Sequence, residues 1–395
     1  MRKLMDRRAL TLVTMLTALA LVAGACGGDD EPAATTAAPT TTAAPTTTAA
    51  PTTTAAPTTT AAAPATTEAE MTETTEAAPM GPTELDVAMI MLGTKEEGWY
   101  ATFIDSVHRV AEEMPHGLTI TLEQIEEIPY ADGERVIRDL AQTGDYEIIV
   151  GHSTYSDAVA AVKDDFPDIL FAFSGSGNEP TGGNGYWIDV FIHEPAYLAG
   201  IIAGAMTQTN HVSGVAAFPF PNVNGPLNAF IDGARFVAQQ MGKGEITFDV
   251  AYIESWFDPA TAQEAAAAQI AAGSDMIYAE RFGPFAAIEE ADGVFGFGHF
   301  TDQLGLSPVV LTSAVARWDT AFKDLVDAWY AYTTEGVPYD APMERIVYTS
   351  MVDGGSSLGE ISDLVPAEVQ DGVAQAEAAI LGGLLRVELK TDPPE

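Results

Sequence analysis

Aromatic side chains and carboxylates recur just after apolar runs of this 395-residue chain. Trp99 and Tyr100 follow the run 85–92 and a glycine-flanked loop that holds Glu97. An aromatic ring stacks on a planar heterocycle for about 1–3 kcal/mol per base, and a carboxylate accepts hydrogen bonds from amines or hydroxyls. These residue types suit a flat ligand with polar edges.

The same combination returns in the second half of the chain. Aromatic residues and an aspartate follow the predicted strand 247–252, a mixed loop follows 276–279, and an aspartate follows 294–298. A single Trp or Phe in such a position also suits core packing, and Asp258 followed by a proline is a typical start of a helix. The residues that carry the ligand interpretation in this half are Trp256, Phe257, Glu280, Arg281, Phe282 and Asp302.

Alternating strands and helices must position these residues. Residues 85–92 form an apolar run of the kind that is buried on both faces of a parallel sheet. Residues 146–150, 156–164 and 169–173 are predicted as strand, helix and strand, which is a βαβ unit. A second run of this kind begins with the predicted strand 211–218. The sequence therefore predicts an α/β fold with two Rossmann-like lobes, parallel sheets, and a ligand cleft at the carboxyl ends of the strands.

The N-terminal residues are typical of an exported protein. Basic residues within 2–8 precede the uncharged apolar run 9–22, and small residues lead to Cys26. This is the layout of a signal peptide, and the apolar run is shorter than the ~20 residues of a membrane span. Because Cys26 is the single cysteine of the chain, we expect cleavage before it and lipidation of its thiol, with ordinary cleavage as the alternative.

Residues 27–82 have a composition that is typical of a disordered linker. Thr-Ala-Ala-Pro units fill much of this segment, and without large apolar side chains nothing offsets the entropy of ordering it. We expect a semi-stiff tether, whose composition also permits O-glycosylation.

The net charge of −40, from 57 acidic and 17 basic residues, argues against nucleic acid or anionic headgroups as partners. The membrane would be contacted through the lipid anchor only.

Several signatures of catalytic and metal sites are absent from the sequence. It contains no HExxH motif and no Walker phosphate loop, and its six histidines show no pair at metal-ligand spacing. Glu97, Glu280 and Asp302 leave open a glycosidase-like pair of carboxylates, but no calcium-binding aspartate cluster of a nucleoside hydrolase is visible. We therefore expect a binding protein with no catalytic residue, no metal and no cofactor.

Several segments resemble one family of transport proteins, in the order in which that family has them. They include TKEEGWYATF from Thr94, the stretch 151–171, NAFIDGAR from Asn228 and ESWFDPATAQEA from Glu254. Over about 84–390, the chain resembles the basic membrane protein family of lipoproteins, the purine-nucleoside-receptor type of substrate-binding component of ABC transporters. The SWFDP segment is most similar to a branch associated with a purine base such as adenine.

The resemblance implies a purine base or nucleoside bound between two lobes of type I periplasmic-binding-protein architecture. Trp99 would stack on the purine from the first lobe, and Phe282 or a neighbour in 280–283 would face it from the second. The chain departs from the family here, because the family often has a small or polar loop where this chain has Glu280-Arg281-Phe282. The further residues implied to line the pocket are Glu97, Ser153, Thr154, Asn228, Trp256 and Asp302.

The resemblance also implies the partners, the location and the topology. An ABC permease and ATPase would receive the ligand from a protein held outside the cytoplasm by lipidated Cys26. Crossings between the lobes are expected near 208–211, 312–315 and 345–352. A sugar or other small polar metabolite is the rival ligand, and a surface sensor without transport is the rival role. The predicted regions are a signal peptide at 1–25, the lipidated Cys and tether at 26–83, lobe one at 84–208 plus 314–346, and lobe two at 209–313 plus 347–395.

Overall fold

A computed structural model of the chain describes residues 81–343 and 347–395. The predicted signal peptide, Cys26 and almost all of the tether lie outside the described residues. Within the described part, no helix has the length and apolar character that a membrane crossing requires.

The first lobe is built on a parallel sheet whose central strands are buried on both faces. Its strands are β1 (Glu84–Ile90), β2 (Thr119–Ile125), β3 (Ile148–Gly151), β4 (Leu170–Ser174), β5 (Gly185–Val190) and β11 (Val347–Thr349). They lie in the order β11-β5-β4-β3-β1-β2, and all neighbours pair in parallel. In β1, Val87 and Met89 enter one core cluster while Ala88 and Ile90 enter another. The apolar run seen in the sequence thus reflects burial on both sides of the sheet.

The second lobe repeats this plan. Its strands are β6 (His211–Ala216), β7 (Thr247–Tyr252), β8 (Met276–Ala279), β9 (Phe295–Phe300), β10 (Val310–Ala316) and β12 (Ser356–Leu358). The order is β12-β10-β9-β8-β6-β7, and only the edge strand β12 runs antiparallel to its neighbour in this described sheet. The predicted α/β class with two parallel-sheet lobes is confirmed.

Helices cover the faces of both sheets. They are α1 (Gly98–Glu113), α2 (Tyr130–Thr143), α3 (Ser156–Val162), α4 (His193–Met206), α5 (Pro221–Gln240), α6 (Pro259–Ala271), α7 (Pro284–Glu289), α8 (Asp319–Glu335) and α9 (Ala367–Leu381). Short 3-10 turns lie at Pro115–Gly117, Lys163–Asp165 and Leu304–Leu306. At the start of α6, the Asp258 carboxylate accepts a hydrogen bond from the Thr261 N–H, and Pro259 is the first helical residue. This local pattern is the helix start that the sequence suggested.

Helix α4 belongs to the second lobe although it directly follows β5 of the first. It packs against α5, and a Cβ added at Gly200 would lie only 2.0 Å from the Phe230 carbonyl oxygen. Such a close approach between helix backbones requires glycine at this position. The chain therefore leaves the first lobe between Val190 and His193.

The lobe boundaries consequently differ from those predicted. The first crossing precedes His193 instead of lying near 208–211, because α4 is held by α5. The second follows Ala316, since β10 continues one residue beyond the predicted 312–315. The third follows Thr349 and lies within the predicted 345–352, but it leaves β11 in the first sheet and not in lobe two.

Candidate functional site

A cleft of about 830 Å³ lies between the two lobes, where strands of both sheets end. This volume is typical of small-molecule pockets. The aromatic residues that line it are Trp99, Tyr100, Tyr130, Phe218, Phe220, Trp256, Phe257 and Phe300. Its polar side chains are Glu97, Ser153, Thr154, Ser174, Ser176, Asn222, Ser255 and Arg281. Among these described lining residues, the charged groups are one carboxylate and one guanidinium.

Trp99 is the main aromatic surface of the first lobe. It lies in the first turn of α1, directly after the loop that follows β1. Its ring stacks on His152, with ring centroids 5.1 Å apart and an interplanar angle of 17°. Trp318 contacts it edge-on at 5.2 Å. A Cβ at Gly175, whose φ is +81°, would lie 3.2 Å from the Trp99 ring, so glycine there leaves room for the indole.

His152 supports this surface from within the core. The imidazole is buried, and its Nε2 lies 3.1 Å from the Trp99 carbonyl oxygen while Nδ1 lies 2.9 Å from the Ser174 hydroxyl. Because a carbonyl only accepts, Nε2 must carry the proton and Nδ1 accepts from the hydroxyl. Burial lowers the pKa of His152 to about 3, against a smaller opposite effect of the Trp99 carbonyl. The ring is therefore neutral near pH 7.

Shorter polar groups surround Trp99 on the first-lobe side. The Glu97 Oε1 atom accepts a hydrogen bond from the Thr94 N–H at 3.0 Å. Burial raises the pKa of Glu97, and the Thr94 N–H and the charge of Arg281 act in the opposite direction. The Ser153 hydroxyl lies 2.9 Å from the Tyr130 hydroxyl, and Thr154 donates to the Ser176 carbonyl. These groups offer one carboxylate and two hydroxyls to the cleft.

The second lobe contributes a cluster of three rings. Phe218 stacks on Phe220 at 5.5 Å and contacts Trp256 at 5.0 Å. Phe220 also contacts Trp256 at 5.8 Å. Phe220 is 47% exposed and the neighbouring Phe257 is 52% exposed. Large aromatic side chains left this open at the mouth of a cleft are available to contact a ligand.

Arg281 lies beside this cluster, two residues after the end of β8. Its Nε and Nη2 atoms donate to the two carboxylate oxygens of the buried Glu280, and Nη1 donates to the Trp256 carbonyl. The guanidinium also lies over the Trp256 and Phe300 rings, at 5.6 and 5.3 Å from their centroids. Cation-π contacts at this distance are attractive. The side chain is thus held in one orientation at the edge of the cleft.

The two lobes touch at the floor of the cleft. Phe300 of β9 contacts Trp99 edge-on at 5.6 Å, and the Asn222 N–H donates to the Ser176 hydroxyl at 3.1 Å. Phe300 adopts a φ of +68°, which is a rare and strained conformation for an aromatic residue. These contacts hold the first-lobe and second-lobe walls of the cleft close together.

Five of the residues implied by the resemblance line this cleft, and three do not. Trp99, Glu97, Ser153, Thr154 and Trp256 lie together around it. The Asn228 amide instead donates to the carbonyls of Lys390 and Asp392, far along the chain. Asp302 accepts from the Glu360 and Leu304 N–H groups, so it orders a loop. Phe282 lines a small cavity behind the cleft, together with Glu97 and Arg281.

The sequence left open a glycosidase-like pair of carboxylates among Glu97, Glu280 and Asp302. Asp302 is occupied in its loop, and Glu280 is paired with Arg281. Glu97 is therefore the carboxylate that remains in the described lining of the cleft. Within the described residues, no group of three or more His, Cys, Asp or Glu side chains is placed to hold a metal ion.

Sequence reasoning overlooked several lining residues. The sequence predicts Phe218 within the strand 211–218, but β6 ends at Ala216, so Phe218 follows the strand end. Phe220 and Asn222 follow in the same loop and at the start of α5. The signal for all three is their position after β6, which the predicted strand 211–218 hides for Phe218 alone.

Comparisons with known proteins agree with this architecture. A family model described as ABC transporter substrate-binding protein PnrA-like matches residues 85–329. A Haloferax volcanii protein named "Putative ABC transporter glucose-binding protein TsgA13" is 32% identical over 80% of this chain and 77% of its own length. A purine-binding protein of Brucella abortus is 28% identical over 70% of this chain and 79% of its own length.

Solved structures show the same fold. The solute-binding protein of an ABC transporter system from Conexibacter woesei superposes with a TM-score of 0.60 at 20% identity. The match covers 77% of this chain and 99% of that protein. At this level of identity, the likeness concerns the fold alone.

Proposed function

The chain belongs to the PnrA-like family of ABC transporter substrate-binding proteins, and we propose that its cleft binds a purine base or nucleoside. The family consists of binding proteins and not of enzymes, and such proteins act outside the cytoplasm. The bound ligand would be presented to an ABC permease and its ATPase. Closure of the two lobes around the ligand is the hinge motion common to this architecture.

The observation that carries the proposal is the pair of aromatic walls. Trp99 lines one side of the cleft, and the three-ring cluster of Phe218, Phe220 and Trp256 lines the other. A planar heterocycle between two such walls can stack on both faces, and aromatic stacking contributes about 1–3 kcal/mol per base. The relative named as a purine-binding protein supports the same ligand class.

A second candidate ligand is a hexose. The relative with 32% identity carries glucose in its name, and a tryptophan face also packs on a sugar ring. A hexose, however, needs many hydrogen bonds for its hydroxyls. The described lining offers one carboxylate, Glu97, one guanidinium, Arg281, and one amide, Asn222, beside several hydroxyls. The aromatic rings on both sides of the cleft are what favours the flat ligand.

Thermal unfolding of the purified protein with purine bases, nucleosides and glucose tests the proposal. A ligand present at 100 times its Kd stabilises the folded state by about 2.7 kcal/mol. A shift with a base or nucleoside and none with glucose is the expected result. A shift with glucose and with no purine would remove the purine assignment and leave the transporter family intact.

We also propose that lipidated Cys26 anchors the protein to the cell membrane through the Thr/Pro-rich tether. The support is the sequence alone, because these residues lie outside the described part. Cys26→Ser should move the protein from the detergent phase to the aqueous phase in a phase-partition experiment. A wild-type protein that already partitions into the aqueous phase would contradict the anchor.

Transport and sensing are distinguished by uptake. We expect cells that lack this protein to take up less radiolabelled ligand, and the wild-type chain to restore the uptake. Normal uptake in its absence would favour a sensor without transport.

A further inference from the structure

Arg281 retains hydrogen-bonding capacity that the protein itself does not use. A guanidinium has five N–H donors. Three of them are accounted for by the two bonds to Glu280 and the one to the Trp256 carbonyl. Two N–H donors therefore remain, and Arg281 lies in the lining of the cleft.

The position of the guanidinium is fixed before any ligand arrives. Its bonds to Glu280 hold one edge, and the Trp256 and Phe300 rings lie against it. Its side chain is 10% exposed. Because the planar fork is already ordered, little conformational entropy is lost when its remaining donors meet an acceptor.

Glu97 provides the opposite chemistry from the other lobe. Arg281 and Glu97 interact electrostatically, and both line the cleft and the small cavity behind it. The Glu97 carboxylate accepts one backbone N–H at Oε1, so it has acceptor capacity left. A ligand that reaches both residues must present acceptors to Arg281 and a donor to Glu97.

We infer that Arg281 and Glu97 make this cleft selective for 6-oxopurines over 6-aminopurines, an inference that rests on the proposed purine ligand. A 6-oxopurine carries two neighbouring acceptors, O6 and N7, which match a guanidinium that donates two hydrogen bonds. Its N1–H lies on the other side of O6 from N7, where it can donate to Glu97. In a 6-aminopurine, the exocyclic amine replaces the acceptor O6, so an N–H of the ligand would face an N–H of Arg281.

Changing the ligand by single atoms tests this without changing the protein. Isothermal titration of the purified full-length chain with hypoxanthine, adenine and 7-deazahypoxanthine, or with the corresponding nucleosides if only nucleosides bind, gives three Kd values. We expect hypoxanthine to bind at least tenfold more tightly than adenine, and the loss of N7 to weaken binding at least fivefold. Adenine binding as tightly as hypoxanthine, or an unchanged Kd without N7, would overturn the inference. If none of these purines bound but glucose did, the proposed function would fail instead.

A substitution assigns the selectivity to the residue. Arg281→Lys keeps the charge but loses the fork, and it should bring the ratio of adenine to hypoxanthine Kd values below about threefold. Arg135→Lys makes the same change on the exposed face of α2 and should keep the wild-type ratio. A wild-type ratio in a folded Arg281→Lys protein would overturn the role of Arg281. If that variant did not fold, the 7-deaza comparison with the wild-type chain would still decide.

Discussion

The two walls of the cleft are both aromatic, but they are built in different ways. On the first-lobe side, the Trp99 ring rests on the buried rings of His152 and Trp318. On the second-lobe side, Phe220 and Trp256 lie against each other, and Phe220 remains 47% exposed. One wall is backed by the core of its lobe, whereas the other has solvent at its edge.

This difference determines what a ligand must order when it binds. A ring that is already held by its neighbours loses little side-chain entropy on binding, whereas an exposed ring loses more. The first wall should therefore contribute more net affinity than the second. Each substitution below either removes the support of the first wall or compares one wall with the other.

The largest effect concerns the neutral histidine beneath Trp99. Burial lowers the pKa of His152 to about 3, whereas an unfolded chain binds the proton near pH 6.5. The unfolded state therefore holds more protons below pH 6.5, and stability falls with falling pH. We expect His152 alone to lower the free energy of unfolding by about 2 kcal/mol between pH 8 and pH 5. Denaturant unfolding of wild type and His152→Gln at both pH values measures this difference.

The control for this experiment removes a histidine from the surface of the same lobe. His108 is exposed on α1, and His108→Gln reports what the loss of any imidazole contributes. The buried His193 and His299 are present in all three proteins and cancel in the comparison. If His152→Gln lost as much stability between pH 8 and pH 5 as wild type does, the claim that His152 is neutral in the folded protein would be wrong.

The next effect is on binding itself. Trp99→Ala removes the ring that His152 and Trp318 hold in place, and we expect at least a tenfold loss of affinity, or about 1.4 kcal/mol. Trp99→Phe keeps an aromatic face and should lose less. Calorimetric titration gives both values, and thermal unfolding without ligand shows whether the variants are folded. An unchanged Kd for a folded Trp99→Ala protein would remove Trp99 from the site.

A smaller loss is expected on the opposite wall. Trp256→Ala leaves Phe218 and Phe220 in the cluster, so the remaining rings still cover the ligand. We expect a three- to fivefold weaker Kd, below that of Trp99→Ala, because part of the stacking survives. A loss larger than that of Trp99→Ala would reverse the order of the two walls.

The sequence was sufficient to predict the fold because its signal is local. The predicted strands 247–252 and 276–279 begin and end in the structure where the pattern places them, since alternating or continuous apolar residues mark burial directly. The family resemblance is likewise confirmed. The assignment of α4 to the second lobe could not be predicted, because it depends on a close contact between helix backbones at Gly200. A periodic sequence pattern does not reveal such a contact.

The site was predictable only where function follows directly from chain position. Trp99 and Trp256 come after strand ends and were found by that rule. Phe220 also follows the end of β6, but nothing in its local sequence shows that its ring packs with Trp256. His152 stood in the predicted loop, but its role arises from Ser174 and the Trp99 carbonyl, which the chain brings together only on folding.

The smallest effects on binding are expected at two residues that the family resemblance implied in the pocket. Asn228 holds the carbonyls of Lys390 and Asp392, and Asp302 holds a loop through Glu360. Asn228→Ala and Asp302→Ala should therefore leave the Kd within twofold of wild type. Asn228→Ala should still destabilise the fold by about 1 kcal/mol, because the buried amide loses its hydrogen bonds to these carbonyls. Titration calorimetry and denaturant unfolding of the same preparations separate the two effects. A tenfold loss of affinity in a folded Asn228→Ala protein would return this residue to the binding site and extend the second-lobe wall toward α5.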